Sequence, residues 1–473
     1  MITNYESGIV WVGILFIFIL SMLLLVGNVI RRKVPIFRKS LLPTAVISGI
    51  LGLLLKEFVA RPLAINGLVF TAQEILDFNK FLNVITYHAL ALGFIAMGLK
   101  VNEKIEIKTS KSHGYYNGLL IVATYILQGI VGIGLTFIMA YTLFPAFKSG
   151  PGLATGILLP FGFGQGPGQA NNFGIIYEQQ GFIGGQSYGL AIASMGFIWA
   201  AIGGVLYLNK KHKKSAIEQE HLKLTSVQEI ETPDEIPVAE SIDKFTIQIS
   251  LVLMVYGATL FTMFGVSRLA MLIPGLGDTL NSLVWGFNFI FGMVLAIIFK
   301  KLFKVFRKTG LMTRQYPNNF MLNRISGIVF DFMVVASITA INISDLKDKW
   351  IPFLIITMIG GIMTMIYLHI LTKRIYKEYP IEAFAGMFGM MTGTASTGVA
   401  LLREVDPNFK TPAATDLVTG TTTAVLFGLP ILLIAGFAPG SIMNAFISLI
   451  ALVVLFLLFT FLLLKAHPKV VKR

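Results

Sequence analysis

The chain has 473 residues, of which 55% are hydrophobic and only 13% charged, with a mean hydropathy of +0.76, a balance outside that of soluble globular proteins. The absence of cysteine excludes disulfides, thiolate metal sites and cysteine nucleophiles, and six scattered histidines without i,i+4 pairing give no sign of a metal enzyme. The net charge of +14 follows membrane topology rather than a nucleic-acid partner, as the distribution of Lys and Arg shows.

The first seven residues lack a basic region, and the apolar run from Gly8 to Ile30 ends in Arg31-Arg32-Lys33 without a small-residue cleavage site. It reads as a first membrane span, not a signal peptide. Further runs near the ~20 residues needed to cross a bilayer fall near 41–60, 81–99, 117–144 and 186–208. Between the last two, Gly162-Phe-Gly-Gln-Gly-Pro-Gly-Gln-Ala-Asn-Asn172 interrupts the apolar pattern within a predicted re-entrant hairpin, 151–181. Residues 209–243, basic at the start and Glu-rich in the middle, read as a solvated cytoplasmic linker.

A second series follows near 244–264, 281–300, 322–343, 350–372 and 412–436, with an extra run at 441–465. Its own break, Gly386-Met-Phe-Gly-Met-Met-Thr-Gly-Thr-Ala-Ser-Thr-Gly398, lies in a second predicted hairpin, 380–404. Displaced by about 225 residues, the two breaks match at Gly164/Gly389, Gly168/Gly393 and Ala170/Ala395. The expected architecture is therefore an all-α integral membrane protein: an N-terminal repeat (1–208), an inverted C-terminal repeat (244–436), and one extra transmembrane helix.

If both breaks dip in and return on one side, the threading leaves only Lys56, Arg61, Lys80, Lys148, Arg268, Lys347 and Lys349 of the 38 Lys and Arg residues outside. That is the bias of the positive-inside rule, with the N-terminus outside and the C-terminus cytoplasmic. Five spans per half give the halves opposite orientation, so one hairpin enters from each side and their tips can meet at the midplane.

Several segments carry a family resemblance: Phe94-Ile-Ala-Met-Gly-Leu99, Gln128-Gly-Ile-Val-Gly-Ile-Gly134, Leu159 to Gly168, Asn323-Arg-Ile-Ser-Gly-Ile-Val-Phe-Asp331, and Phe388 to Ala395. The chain resembles the sodium/glutamate symporters of bacteria, distantly related to the 2-hydroxycarboxylate carriers. The resemblance implies a homodimer in the cytoplasmic membrane, whose hairpins carry substrate and sodium while a transport domain moves against a scaffold. It departs from the family at both tips: Gly164-Gln-Gly-Pro167 stands where the family has Gly-His-Gly-Thr, and Thr392-Gly-Thr-Ala395 where it has Thr-Pro-Thr-Ala.

Helix N-termini restarting after each break offer free amides and a positive dipole end to a carboxylate. The expected substrate residues are Gly164, Gln165, Gly166, Gly168, Gln169, Asn171, Asn172, Thr392, Gly393, Thr394, Ser396 and Thr397; small polar residues of this kind also serve close helix packing. Sodium, which favours hard oxygen ligands, is assigned Asp331, Thr394, Asn171, Thr421 and Thr422. Asp331 has an alternative as a packing partner of Arg324, and Thr421 and Thr422 as hydroxyls bonded to their own helix. His88 is a proton-shuttle candidate or a packing residue, Gln128 is equally ambiguous, and Arg403 reads as an interfacial anchor.

The expected function is sodium-coupled symport of an anionic amino acid, foremost L-glutamate, by alternating access, with Na+ as coupling ion and no cofactor. A di- or tricarboxylate carrier is the alternative within the class. A channel or a membrane-embedded enzyme is the alternative outside it, and the enzyme lacks a paired acid/base or metal constellation. Neither substrate class is separated from the other by the residues alone.

Overall fold

The computed structural model describes residues 8–39, 41–65, 71–100, 111–211, 241–272, 277–310, 317–406 and 411–465. These are helical, without strands among the described residues. Most of the 209–243 linker lies outside them. Among the described residues eight helices are long and apolar enough to cross a membrane, which makes the chain a multi-pass membrane protein.

The principal helices are α1 (Gly8–Lys33), α2 (Thr44–Leu55), α3 (Ala72–Leu99), α4 (Lys111–Thr142), α5 (Pro167–Gln179), α6 (Gly185–Ile198), α7 (Ser241–Ala270), α8 (Asn288–Lys308), α9 (Asn319–Ala340), α10 (Trp350–Ile375), α11 (Pro380–Thr392), α12 (Ala395–Arg403), α13 (Ala413–Phe427), α14 (Leu429–Phe437) and α15 (Ile442–Lys465). Three expected spans are helical but fall outside the eight, for identifiable reasons. The run near 41–60 continues from α2 through a π-helical turn, Lys56–Ala60, into Arg61–Ile65, and its later half carries Lys56, Glu57 and Arg61. The run near 281–300 is divided at Phe287, and that near 412–436 at Gly428, where Pro430 in the first turn of α14 lacks an amide for the helical ladder.

The chain forms two compact units. The larger comprises residues 1–90, 105–204 and 330–473. Its central element is the glycine-containing helix α4, whose most apolar stretch is 67% buried, against 17% for α1 and 22% for α15. The outer helices expose Phe18, Leu25, Val454 and Leu457, apolar side chains suited to lipid. Glycine lets neighbours reach α4: a Cβ on Gly118 would strike Thr423, and one on Gly420 of α13 would strike Asn117.

The smaller unit comprises residues 91–104 and 205–329. Ile95, Ala96 and Leu99 pack with Val252, Val255, Ala296, Leu322 and Ile325. A Cβ on Gly98 would stand 2.9 Å from Ala296 Cβ, Phe94 and Phe289 rings tilt together at 5.3 Å, and Lys300 Nζ donates to the Lys100 carbonyl at 2.9 Å.

Candidate functional site

Both glycine-rich segments leave helical geometry, and both lie in the larger unit. The first is approached by Gly150–Ala154, a 3-10 turn at Thr155–Ile157, and the short helix Leu158–Phe163. Ser149 Oγ accepts from the Gly152 amide at 3.0 Å and caps the start. The amides of Gly164 and Gln165 both return to the Pro160 carbonyl at 3.1 Å. Gly166 then takes φ +85, a left-handed conformation that L side chains rarely adopt. Pro167, in the first turn of α5, has the φ a helix start requires and no amide to leave unpaired. The returning helix packs on the approach, with Phe161 and Phe173 rings stacked at 4.0 Å.

The second break is tighter. α11 ends at Gly393, Thr394 stands in extended geometry at the head of α12, and Gly398 folds back so closely that a Cβ there would lie 2.5 Å from the Gly386 carbonyl. Thr394 and Thr397 hydroxyls pair at 3.2 Å, while Thr392 bonds to its own helix at the Phe388 carbonyl, 2.7 Å away.

The two breaks touch. A Cβ on Gly166 would lie 3.5 Å from Thr394 Cγ2 and 3.7 Å from the Gly393 carbonyl oxygen. Helix α4 grips both: Tyr125 Oη donates to the Gly164 carbonyl at 3.1 Å, and Gln128 Nε2 donates to the Met391 carbonyl at 2.9 Å and to Thr364 Oγ1 of α10 at 3.1 Å. Neither Pro167 nor the helix geometry of α5 engages the Gly168 and Gln169 amides, and neither α5 nor α12 carries a side-chain cap. Each break is thus followed by a helix N-terminus whose first amides have no helical partner.

Gln169, Asn171 and Asn172 are buried in the first turns of α5. Gln186 of α6 fixes Asn171, its Nε2 donating to Asn171 Oδ1 at 2.7 Å while its Oε1 accepts from Asn83 at 3.1 Å. Among the described residues, Gln128 Oε1, Gln169 Oε1 and Asn171 Nδ2 are buried without a partner. Orphaned groups of this kind are rare in packed protein and mark places a ligand or water fills.

The expected residues do not all share this region's burial. Gln165 and Thr394 are half-buried, Ser396 is exposed, and the remaining tip residues are buried. Asp331 lies exposed on α9 with no hydrogen bond or ion pair among the described residues; Arg324, its suggested partner, sits over the Phe320 ring at 5.1 Å. Thr421 donates to its own helix at Leu417, 2.7 Å away, and reaches Met390 Sδ at 3.5 Å. The Thr422 side chain lies outside the described residues. His88 packs edge-on to Tyr87 at 5.1 Å, and Arg403 is exposed on the last turn of α12.

Residues absent from the sequence-based set include Tyr125, Thr364, Gln186, and the pair Tyr379 and Asp416, whose hydroxyl and carboxylate meet at 2.6 Å. Another is Lys56, counted as an outward anchor yet only 3% exposed, with its ammonium on Asn79 Oδ1, the Ile341 carbonyl, Asn342 Oδ1 and Glu57. Among the described residues no three His, Cys, Asp or Glu side chains cluster as a metal site.

A family model described as sodium/glutamate symporter matches residues 13–411, which include both breaks and most of the chain. The chain belongs to the sodium/glutamate symporter family. No curated protein and no solved structure matches it. The family is one of transporters, not enzymes, and its members couple transport to sodium.

Proposed function

We propose that this symporter carries an anionic amino acid, L-glutamate foremost, into the cell with Na+ by alternating access. The observation that supports the reading is the contact between the two breaks, each followed by a helix N-terminus without a side-chain cap, with Gln169 and Asn171 buried in the first turns of α5. A helix N-terminus favours an anion by up to about 2 kcal/mol in a partly buried setting, whereas a desolvated carboxylate costs several kcal/mol. Two helix ends therefore offset only part of the cost of a dicarboxylate. A sodium ion bound nearby supplies the missing positive charge, and linkage makes each ligand tighten the other.

In this reading the breaks are re-entrant hairpins of two inverted repeats, entering from opposite faces of the cytoplasmic membrane, with the N-terminus outside. The first-turn residues Gly168, Gln169, Asn171 and Asn172 of α5, with Thr394 before α12 and Ser396 and Thr397 within it, hold the carboxylates. Gly164, Gln165, Gly166, Thr392 and Gly393 give the tips their shape. Asn171 and Thr394, with Asp331, Thr421 and Thr422, are the oxygen donors proposed for sodium. The working unit is proposed to be a homodimer.

Uptake of labelled glutamate into proteoliposomes tests the reading. An inward Na+ gradient drives accumulation that saturates and is competed by glutamate more strongly than by malate or citrate. Uptake indifferent to the gradient rejects symport, and stronger competition by malate or citrate moves the substrate to the hydroxycarboxylate class.

A further inference from the structure

We propose that Gln128 is an oxygen ligand of the coupling sodium ion, a role the sequence-based sodium set does not contain. The proposal rests on the sodium coupling of the family and goes beyond it to name the ligand.

Gln128 is 1% exposed within the central helix α4. Its two amide hydrogens are both committed, to the Met391 carbonyl and to Thr364 Oγ1. The amide orientation follows from these partners. Thr364 already donates its own hydrogen to the Gly360 carbonyl at 2.7 Å, so toward Gln128 it only accepts. Turning the amide over would set two oxygens against each other at Met391 as well. Oε1 is thereby held on the opposite side, buried and without a donor among the described residues. Burial of an amide oxygen without a partner is costly, and the two bonds from Nε2 aim it at one place.

That place is the end of both approaching helices. A Cβ on Gly164, where the first approach terminates, would lie 3.4 Å from Gln128 Oε1, and Met391 belongs to the last turn of α11. Helix C-termini present carbonyl oxygens without intrahelical donors and a negative dipole end. Carbonyl and amide oxygens are the hard ligands a small cation takes, and exposed half-helix C-termini are where transporters hold Na+. The same amide would tie the cation to the second break through Met391, so that filling the ion site orders the segment leading to Thr394.

The test is the Na+ activation curve of glutamate uptake, paired with Na+-induced thermal stabilisation of the purified protein without substrate. Gln128→Met keeps the length and removes the oxygen. The expected result is a rise in half-saturating Na+ of about tenfold or more, equivalent to 1.4 kcal/mol or more, with loss of Na+ stabilisation and little change in the glutamate KM at saturating Na+. Thr364→Val, which removes one Nε2 acceptor and leaves Oε1 in place, shifts half-saturating Na+ far less. If Gln128→Met does not fold, Gln128→Glu decides: it keeps an oxygen for the ion but sets its second oxygen against the Met391 carbonyl and Thr364 Oγ1 unless it is protonated, so half-saturating Na+ shifts from the wild-type value and becomes pH-dependent.

A wild-type Na+ curve in the folded variants overturns the proposal. So does a raised glutamate KM at unchanged Na+ affinity, which would assign Oε1 to the substrate's ammonium group. Wild-type uptake that ignores Na+ would instead reject the symport reading itself, which keeps the two failures distinct.

Discussion

Gly132 of α4 and Gly156 of the first approach lie backbone against backbone: a Cβ on Gly132 would sit 2.0 Å from the Gly156 carbonyl oxygen, and one on Gly156 2.0 Å from the Gly132 carbonyl. Neither neighbour is a flexible side chain, so nothing yields cheaply. Gly132→Ala and Gly156→Ala are each expected to cost about 3 kcal/mol, the upper end for overpacking, read as a lowered melting temperature in detergent. Gly134→Ala, on the same helix with nothing within 4 Å, leaves melting unchanged or raises it slightly.

Gly166 and Gly181 share a positive φ, +85 and +105, and differ in surroundings. A Cβ on Gly181 meets nothing within 4 Å, while one on Gly166 faces Thr394 and the Gly393 carbonyl. Both alanine variants pay about 1–2 kcal/mol of backbone strain. Only Gly166→Ala is expected to cut Na+-driven uptake, by about tenfold or more, because it disturbs the meeting of the breaks as well as the fold. Equal uptake by the two variants would contradict this.

The Tyr379 hydroxyl donates to Asp416 at 2.6 Å, and Asp416 is 2% exposed. Tyr379→Phe removes one charge-assisted hydrogen bond to a buried carboxylate, a loss of about 1.5–3 kcal/mol expected in the melting temperature at pH 7. Burial, then the charge of Asp416, raises the Tyr379 phenol above its ordinary value. A raised folded-state value places the stabilisation fully below the unfolded phenol pKa of about 10 and removes it only as pH rises beyond that. The deficit of Tyr379→Phe is therefore constant between pH 6 and pH 9, taken as roughly the working range.

Asn171 points where Gln186 holds it, through a 2.7 Å bond from Nε2 to Oδ1. Gln186→Leu leaves Asn171 in place but unanchored. The expected effect is a glutamate KM raised by about tenfold, together with a melting temperature lowered by the loss of about 1–3 kcal/mol, because Asn171 Oδ1 is left buried without its donor. A fall in the maximal rate at constant KM would count against an orienting role.

The sequence made the helices and both breaks legible because these depend on local pattern: long apolar runs, Pro167 after Gly166, and glycines where backbone must turn. Residues that act across the fold were not legible in the same way. Gln128 carries no signal distinguishing a packing amide from one that spans α4, α10 and α11, and its partners Thr364 and Met391 lie far along the chain. Lys56 is another residue whose partners the sequence does not show. Charge counting assigns it to the outer side without a further role, and its ammonium is buried among oxygens of two separate segments, Asn79 on one and Ile341 and Asn342 on the other. Asp331 was singled out for its cost in a continuous apolar helix, but helical periodicity alone does not say which face it occupies, and that face is exposed.

The most direct test of the central claim uses the chain's lack of cysteine. Single cysteines at Gln165 and Thr394, one on each break, are labelled in membranes with an impermeant maleimide, with and without Na+ and glutamate. The account predicts that both positions are protected by glutamate, and only when Na+ is present. Protection of neither position, or protection by glutamate that is independent of Na+, would contradict it.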